Sequence, residues 1–580
     1  MDLFDHLSEL GKRRAIFYPA FEIYGGMSGF VNYGPVGSLL KQNIEQKWRK
    51  RFVYQEGMME VESTIIMPEQ AFLASGHVAH FTDFMTRCSQ CRKVYRVDLL
   101  LQDSNVKGSE GLSQQKLDNL IKKHGVQCPD CEGELLPSEP FNLMFQTQIG
   151  SLDTRQIGFG RPEAGQGQFL DFKRLYLAAR EQLPLGIAQV GRCVRNEIAP
   201  RKGPIRLREF TIIDYEIFFD PEDPTYPSIE QIQDQRLRIL PASEQILGSD
   251  SVSMLTVREA LAEKVVGNEI LCYFMALAVT FLEDLGIPFD KQRMREQLPD
   301  EKAHYSEQTF DQEVWLDRWG WTEISGHAYR TDYDLRNHMM HSGEDLRVYK
   351  SYETPRHQIQ TEVKPIKERL TKDFGDREAE EIIRLLSKTD PVIVAREIRT
   401  KNFYEVPRRH PIKLTAQYLD ITEKNVEVAG RYFIPHVVEP SFGIDRIVYA
   451  TLEYAYSRER KRTRLALPRD VAPIKVMVYP LVPRNGLPDI AMEVYHILLE
   501  EDIVVRYDAS GSIGRRYARA DEIGVPICVT IDYQSMKDNT VTLRDLYTWK
   551  QVRTVIPDLA NLLRMYFRKK YEFTDLGLSL

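Results

Sequence analysis

Residues 191–219, "GRCVRNEIAPRKGPIRLREFTIIDYEIFF", place cations and carboxylates close together. The second half of this stretch is an apolar run with two acidic residues, and the first half holds Arg195, Glu197, Arg206 and Arg208. Arginine side chains suit bidentate contacts to phosphate, and an aromatic side chain beside them can stack on a base. A solvated hairpin with surface ion pairs would have the same composition. The stretch by itself leaves both interpretations open.

The pattern predicts two antiparallel strands, at 187–197 and 207–219, joined by the loop "IAPRKGPIR". Because side chains alternate between the faces of a strand, Arg195 and Glu197 are expected to share one face of the first. One face of the second strand is expected to carry Arg208, Phe210, Ile212, Asp214 and Glu216. The two strands would thus present cations and carboxylates to the same region.

Two further stretches favour a ligand site. "GRPEAGQGQFL" contains Glu163 among glycines, and "HVVEPSFGIDRIVYA" contains Glu439, Ser441, Gly443 and Arg446 where a strand leads into a helix. Glycines let a ligand approach the backbone closely. These stretches weigh against the surface-hairpin interpretation.

Four of the seven cysteines form two CxxC pairs, Cys88 with Cys91 and Cys128 with Cys131. Four thiolates in two such pairs are typical of a tetrahedral structural zinc site. Four unrelated free cysteines are the alternative, but a chance repeat of the CxxC spacing is improbable. The sequence therefore predicts a structural Zn²⁺.

The bulk properties indicate a multidomain globular protein. The chain has 580 residues, a formal net charge of −7 and 28% charged residues, which gives no general reason to expect a polyanion as partner. The N-terminus does not resemble a secretory signal, and the longest apolar run, 270–282, is too short for a membrane span. We expect a cytoplasmic protein with no membrane contact.

The predicted organisation has an α+β core, two helical insertions and a C-terminal α/β domain. The expected ranges are 1–87, 132–220 and 320–467 for the core, 88–131 for a zinc-ribbon-like insertion, 221–320 and 365–395 for helical insertions, and 470–580 for the C-terminal domain. Strands and helices alternate after Pro468, which is typical of βαβ units. A helix there, "SIGRRYARADEIG", carries Arg515, Arg516 and Arg519, which suit RNA phosphates or simply a solvated face.

Several of these stretches carry a family resemblance. "VRNE", "RLREF" and "EPSFGIDR" resemble motifs 2 and 3 of class II aminoacyl-tRNA synthetases. The combination of "YGPVG", "RPEAGQG" and "YDLRNH" resembles the glycyl-tRNA synthetase family, of the homodimeric archaeal and eukaryotic-like type. The similar stretches extend from about residue 20 to residue 550 and so cover nearly the whole chain.

The resemblance implies an antiparallel catalytic sheet of six or seven strands, a motif 1 helix near 39–52 in a homodimer interface, and an anticodon-binding domain at the C-terminus. It implies a two-step reaction. Glycine would attack the α-phosphate of ATP to give glycyl-adenylate and pyrophosphate, with Mg²⁺ bridging phosphate oxygens. The glycyl group would then pass to the 3′ end of tRNA(Gly), and no editing domain would be needed because a larger amino acid is excluded by size.

The resemblance also implies residue roles. ATP would be bound by Arg195, Asn196, Glu197, Arg206, Leu207, Phe210, Glu323, Ile324, Gly443 and Arg446, of which Arg195 and Arg446 would be catalytic. Glycine would be bound by Arg96, Glu163, Asp214, Glu439 and Ser441, and tRNA by Arg515, Arg516 and Arg519. Catalysis would come from positioning and charge placement rather than from acid–base chemistry.

The chain departs from the family pattern at a few positions. Asp214 stands where glutamate is usual, and Ala164-Gly165 stands where Thr-Ala is usual. Other class II synthetases, of threonyl, prolyl or histidyl type, are an alternative, but they need larger amino-acid pockets. A non-catalytic synthetase paralogue is a second alternative, which the retained phosphate arginines disfavour.

Overall fold

The computed structural model describes residues 2–104, 106, 112–151, 153–198, 200, 203–303, 305–387, 389–406, 412–459 and 462–580, with only the backbone at 358 and 360. The chain forms two compact units, one of Met1–Leu346 with Pro435–Leu580 and one of Arg347–Ile434. In these described ranges, no helix is both long and apolar enough to cross a membrane.

The N-terminal segment ends in a long helix that packs on the core. Its elements are α1 (Leu3–Arg13), β1 (Phe17–Pro19), β2 (Val31–Tyr33) and α2 (Pro35–Arg49). Pro35 occupies the first turn of α2, where its missing N–H costs nothing. Leu40, Ile44 and Trp48 recur at every fourth position and are buried. A π-helical turn, Lys50–Tyr54, continues α2, so the helix predicted at 39–52 begins earlier and changes geometry before its end.

A small module follows, built around the four cysteines. It is preceded by β3 (Met59–Glu60), β4 (Ile66–Pro68), α3 (Glu69–Ala74) and α4 (His77–His80), and its own elements are β5 (Thr82–Arg87), β6 (Val94–Arg96), α5 (Val97–Asp103), α6 (Gln114–His124) and β7 (Glu139–Asn142). Strands β6, β5 and β7 form one sheet in that order. Helices α5 and α6 bury Leu101 and Leu117 in a cluster that includes Cys88 and Cys128. The cysteine module therefore has its own small core.

The large sheet is assembled from strands far apart in the sequence. Its region contains β8 (Phe145–Ile149), β9 (Gln156–Gly160), α7 (Gln166–Ala178), β10 (Leu185–Val194), β11 (Glu209–Phe219), β12 (Arg236–Leu240), α8 (Ala242–Ile246), β13 (Ser253–Thr256), α9 (Val257–Ala262), α10 (Glu269–Asp284), β14 (Gln292–Glu296), β15 (Gln308–Leu316), β16 (Gly320–Thr331) and α11 (Tyr333–Ser342). Among the described residues, nine strands pair in the order β13-β12-β14-β15-β16-β21-β11-β10-β3, where β21 is His436–Gly443. Most pairs are antiparallel, but β12–β14 and β10–β3 are parallel. The sheet is therefore mixed, and wider than the expected six or seven strands.

The prediction of a mainly helical insertion at 221–320 is wrong. Strands β12 to β15 lie in that range and belong to the large sheet. Helix α10 was predicted, but it lies in the central core beside β16 and β21 instead of in a separate domain. Its apolar residues cover the helix on nearly all sides, so it needs burial all round. The short, partly polar strands gave no clear period, and their pairing is non-local.

The second unit has a long two-stranded ribbon and a helical cluster. Its elements are β17 (Val348–Pro365), α12 (Lys367–Phe374), α13 (Asp376–Leu386), α14 (Pro391–Lys401), β18 (Tyr404–Val406), β19 (Ile412–Leu414) and β20 (Leu419–Phe433). Strands β17 and β20 pair antiparallel along their length. Leu370, Ile382 and Val394 join the three helices in one apolar cluster. The helices expected at 365–395 are present, but they belong to a larger unit that the two strands enclose.

The remaining elements complete the first unit. They are β21 (His436–Gly443), α15 (Ile444–Ala455), β22 (Tyr456–Glu459), β23 (Arg462–Leu465), β24 (Val476–Pro480), α16 (Leu487–Glu500), β25 (Val505–Tyr507), α17 (Ile513–Glu522), β26 (Ile527–Ile531), α18 (Ser535–Asp538), β27 (Thr540–Asp545), β28 (Gln551–Val555), α19 (Ile556–Phe567) and β29 (Leu578–Ser579). From β24 onward the strands form a separate sheet, β25-β24-β26-β27-β28-β29. Its buried strands and helices share a core of their own, as the alternating pattern after Pro468 predicts.

Candidate active site

A cavity of about 230 Å³ opens on the face of the large sheet where β11, β16 and β21 lie side by side. Among the expected site residues, its walls include Glu163, Arg195, Glu197, Arg206, Leu207, Phe210, Asp214, Glu323, Ile324, Glu439, Ser441, Gly443 and Arg446. Residues that are far apart in the sequence meet here because β21 pairs with both β11 and β16. One cavity thus holds most of the residues expected to bind ATP and glycine.

The expected hairpin forms, with Gln189 opposite Asp214 and Cys193 opposite Phe210. Strand β10 ends at Val194, however, so the alternation of side chains does not extend to Glu197. Beyond the strand, the Glu197 N–H donates to the carbonyl of Arg195 at 2.7 Å, which bends the chain. The expectation that Arg195 and Glu197 share a strand face is therefore wrong, although both reach the cavity.

Arginines occupy one end of the cavity. The Arg195 Nε donates to the carbonyl of Pro162 at 2.9 Å, and its guanidinium lies 5.2 Å from the ring centre of Phe210. Arg206 Nε lies 3.1 Å from Glu197 Oε2. Burial lowers the pKa of Arg206, which stays far above neutral pH. The protein thus engages the Nε atoms of Arg195 and Arg206, and both side chains line the cavity.

Arg446 closes the same end from α15. Its Nε donates to the carbonyl of Ile205 at 2.9 Å, and Nη1 donates to the carbonyl of Glu323 at 2.6 Å and to Glu323 Oε2 at 3.1 Å. At Gly443 an added Cβ would come 3.3 Å from the carbonyl of Ile324. The strand–helix junction therefore needs a small residue at 443 to bring Arg446 over β16.

Carboxylates occupy the other end, around one buried guanidinium. Arg330 donates to both oxygens of Asp334, at 2.9 and 3.1 Å, and to Glu439 Oε2 at 2.8 Å. Glu163 Oε1 accepts from Gln166 Nε2 at 2.9 Å and lies 3.7 Å from Arg330 Nη2. Burial opposes ionisation of Glu163, but His77 and Arg330 outweigh it and lower the pKa of its carboxyl. Negative charge thus collects where an ammonium group could bind.

Asp214 lies in this end but is already engaged. Its Oδ2 accepts from the backbone N–H groups of Ala164 and Gly165, at 2.5 and 3.0 Å, and its Oδ1 accepts from Ser441 Oγ at 2.5 Å. Burial, and then the nearby Glu163, raise the pKa of Asp214. Asp214 thus holds the turn before α7 and also lines the cavity, so its expected role as a glycine ligand stays a prediction.

Several expected site residues lie outside the cavity. Arg96 does not line it: its guanidinium pairs with Asp83 at 2.9 Å and Asp98 at 2.7 Å, on the cysteine-module side of Glu197. Asn196 lines a neighbouring groove, and its N–H donates to the carbonyl of Leu143. Two local carboxylates hold Arg96 beside Glu197, and its expected contact with glycine stays a prediction.

The three arginines of α17 do not form one surface. Arg516 is 1% exposed and donates to the carbonyls of Pro480 and Gly511, so it holds the domain together and its predicted tRNA contact is wrong. Arg519 pairs with Asp508 on the same domain. Arg515 is exposed and stays a predicted tRNA contact. Helical spacing directs the three side chains to different sides.

Sequence reasoning missed residues that line the cavity or support its walls. Arg330, which holds the wall residues Glu439 and Glu163, and its partner Asp334 are four residues apart where β16 leads into α11, in the stretch "YRTDYDL". Asp311 lines the arginine end beside Glu323, and burial followed by that neighbour raises its pKa well above the usual range. An arginine followed four residues later by aspartate was a usable signal for a local ion pair. The sequence around Asp311 gave no such signal, because the burial of Asp311 depends on the pairing of β15 with β16.

The four cysteines form a compact cluster apart from the cavity. Their sulfur atoms all lie within 4.8 Å of one another, with Cys88–Cys131 and Cys91–Cys128 separations of 3.5 and 3.6 Å. A tetrahedral zinc with bonds of about 2.3 Å sets its sulfurs roughly 3.8 Å apart. The donor set and its spacing therefore fit a structural zinc ion.

The fold and the site together define a class. The chain resembles the prolyl-tRNA synthetase from Cryptosporidium parvum, complexed with halofuginone and AMPPNP, at TM-score 0.51 and 12% identity, over 98% of this chain and 77% of that one. Residues 475–565 match the family model described as anticodon binding domain. The chain therefore has the fold of a class II aminoacyl-tRNA synthetase with a C-terminal anticodon-binding domain.

Curated relatives narrow the class to one family. The chain is 45% identical to the glycine–tRNA ligase of Aeropyrum pernix over 99% of both chains. It is 44% identical to that of Methanothermobacter thermautotrophicus, over 96% of this chain and 97% of the relative. It is 40% identical to that of Methanocaldococcus jannaschii, over 97% of this chain and 99% of the relative. The chain belongs to the glycine–tRNA ligase family.

Proposed function

We propose that the protein is a glycine–tRNA ligase, which activates glycine with ATP and transfers it to the 3′ end of tRNA(Gly). One observation carries this proposal: a single cavity has buried carboxylates around Arg330 at one end and Arg195, Arg206 and Arg446 at the other. The first end suits an amino acid's ammonium group, and the second suits a triphosphate. The relatives at 40% identity or more are named for the same reaction.

At the carboxylate end, Glu163 and Glu439 would bind the glycine ammonium, with Ser441 beside them. Ala164 is buried in the turn next to Glu163, and a filled wall there would leave no room for a side chain on the substrate's α-carbon. Excluding a larger amino acid needs only a filled wall, which is the easier direction of discrimination. Selection for glycine would therefore be steric.

At the arginine end, Phe210 would stack on adenine, while Arg206 and Arg446 would contact the outer phosphates. Arg195, which donates to the carbonyl of Pro162 next to Glu163, would neutralise charge on the α-phosphate as the glycine carboxylate attacks it. The carboxylate is already ionised, so the step needs no general base. Its rate would come from holding the reactants in line and from fixed positive charge.

Magnesium and zinc have separate residues. Glu323, with Asp311 on the neighbouring strand, would hold Mg²⁺, since carboxylate oxygens are its usual protein ligands. Magnesium would neutralise phosphate charge and fix the phosphate geometry. Cys88, Cys91, Cys128 and Cys131 would hold a structural Zn²⁺. Elemental analysis should find about one zinc per chain, and Cys91→Ser should lower that content; no metal in the purified protein would refute the site.

The remaining partners are also proposals. Arg515 on α17 would contact tRNA from the anticodon-binding domain. The protein would act in the cytoplasm as a homodimer. Four exposed apolar side chains close to the start of α2 offer a surface for a second copy: Phe21, Ile23, Tyr24 and Met27. Sedimentation should show twice the chain mass, and Ile23→Asp should shift the protein towards the monomer.

The experiment that tests the function is glycine-dependent exchange of pyrophosphate into ATP. Exchange should require glycine and should not occur with alanine, threonine or proline. Exchange with threonine or proline, and none with glycine, would favour a different class II synthetase. A folded protein with no exchange for any amino acid would favour the non-catalytic alternative.

A further inference from the structure

The turn that carries Glu163 is held against β11 by two side chains on the same strand face. Asp214 and Glu216 are two residues apart on β11 and therefore project to the same side. Asp214 binds the turn to the strand, because it accepts from the N–H groups of Ala164 and Gly165 at 2.5 and 3.0 Å. Glu216 limits how closely the turn can approach the strand, since a Cβ added at Gly165 would lie only 2.5 Å from Glu216 Oε1.

The length of the side chain at 214 sets how far the turn stands from the strand. The backbone of Asp214 cannot shift, because it pairs with Gln189 of β10 on one side and Ser441 of β21 on the other. A glutamate at 214 would hold the turn farther out, by at most about one bond length of 1.5 Å. At that distance a Cβ at 165 would meet Glu216 at an ordinary van der Waals separation. Asp214 therefore requires glycine at 165, and a longer residue would leave a gap there.

Glu216 cannot readily move aside. Its side chain is fully buried, and neither of its oxygens accepts a hydrogen bond from the described residues. Burial, and then the carboxyl of Glu439, raise the pKa of Glu216 well above the usual range. A Cβ at Gly165 would lie 3.6 Å from Glu439 Oε1, which is an ordinary van der Waals separation, so the overlap would be with Glu216.

Glu163 directly precedes Ala164, so the position of the turn fixes its distance from Glu439 across the cavity. We propose that Asp214, Gly165 and Glu216 form a positioning device that sets the width of the ammonium site. The inference rests on the proposed function, because it concerns the binding of glycine by Glu163 and Glu439.

Two single variants and their combination test the device: Gly165→Ala, Asp214→Glu and the double variant. Each single change should raise the KM for glycine in pyrophosphate exchange about tenfold, because it overpacks or loosens the turn. The KM for ATP should change less than about twofold, since the arginine end is untouched. The double variant should return to within about threefold of the parent, because the longer side chain makes room for the added methyl group.

Gly514→Ala on α17 is the matched control, because an added Cβ there meets no atom within 4 Å and exchange requires no tRNA. Thermal unfolding shows whether each variant folds; a folded double variant beside an unfolded Gly165→Ala would also support the coupling. Independent effects of the two changes on the KM for glycine would overturn the proposal. A parent without glycine-dependent exchange would instead refute the proposed function, so the two failures are distinguishable.

Discussion

The two ends of the cavity satisfy their charged groups in different ways. At the carboxylate end the side chains of Arg330, Glu163 and Glu439 are 1%, 12% and 8% exposed. At the arginine end, the side chains of Arg206 and Arg446 are 23% and 30% exposed. The first group bonds internally through several buried contacts, whereas the second uses backbone carbonyls and the half-exposed Glu323.

This difference separates selection from catalysis. The carboxylate end is assembled before any substrate enters, so its geometry can reject what does not fit. At the arginine end, Arg446 pairs with the half-exposed Glu323, so phosphate oxygens can replace that partner at little cost. We therefore expect mutations at the first end to change stability and glycine affinity, and mutations at the second to change the rate of activation.

The largest effect is expected for Arg195→Ala, which removes positive charge where the phosphate transition state forms. Glycine-dependent exchange should fall by about 100- to 1,000-fold, as for loss of a donor to a developing oxyanion. Arg192→Ala on the same hairpin is the control, because Arg192 is 49% exposed and pairs only with a surface glutamate. Filter binding of tRNA should be nearly unchanged; equal losses of binding and exchange would contradict the role.

Arg330→Met tests how much the ion-pair network at the carboxylate end contributes to stability. The change leaves Asp334 and Glu439 buried without their cation, so the free energy of unfolding should fall by about 3 kcal/mol or more. Arg336→Met removes an exposed partner of Asp332 and should cost less than about 1 kcal/mol. Urea denaturation measures both. Similar costs for the two variants would show that the buried network adds little to stability.

Glu439→Gln tests how glycine binding depends on pH. Burial raises the pKa of Glu439 to about 8, so the free protein holds a proton there at neutral pH. An ammonium group favours the carboxylate, so binding should release this proton, and the KM for glycine should fall as pH rises from 6.5 to 8. The slope should approach tenfold per pH unit and vanish in the variant. A retained slope would assign the proton to another group.

The raised pKa of Glu439 also predicts how the free energy of unfolding changes with pH. Between its ordinary pKa of 4.5 and about 8, the folded chain keeps a proton that the unfolded chain has lost. The contribution of Glu439 to stability is therefore full below pH 4.5 and declines as pH rises towards 8. Glu439→Gln should flatten this part of the profile of unfolding free energy against pH. An unchanged profile would argue against the raised pKa.

The smallest effect is expected for Arg515→Ala, which touches neither end of the cavity. Loss of one phosphate contact should raise the KM for tRNA about threefold. It should also reduce the slope of the logarithm of tRNA affinity against the logarithm of salt concentration by about one. Exchange without tRNA should not change. Arg516→Ala is the contrast, since it removes a buried guanidinium and should destabilise the domain instead. A large effect of Arg515→Ala on exchange would contradict this separation.

Local patterns predicted the elements whose signals are short in range. The hairpin of β10 and β11, the helix α10 and the alternating elements after Pro468 follow from periodicity and turn residues. The paired CxxC spacing predicted a four-cysteine cluster, and the sulfurs do come together. The pattern failed for β12 to β15, whose membership in the large sheet depends on contacts between distant segments.

Side-chain partners were the least predictable feature. Arg515 and Arg516 are adjacent in one helix, yet one faces solvent and the other is buried. Asp214 was expected at the substrate amine, and no pattern predicted that it also accepts from two backbone N–H groups and a hydroxyl. Most of these partners come from other elements, 36 to 227 residues away in the chain, and no local period predicts them.

The sequence by itself determined the chemical inventory: phosphate-binding arginines, carboxylates, paired cysteines and a C-terminal α/β domain. Residue type and short-range spacing are sufficient for these, because they express intrinsic chemistry and periodicity. Only the tertiary structure decided that Arg330 bridges Asp334 and Glu439, that Asp214 holds the turn of Glu163, and that Gly165 must lack a side chain beside Glu216. Those outcomes depend on distances between strands that meet only in the folded sheet.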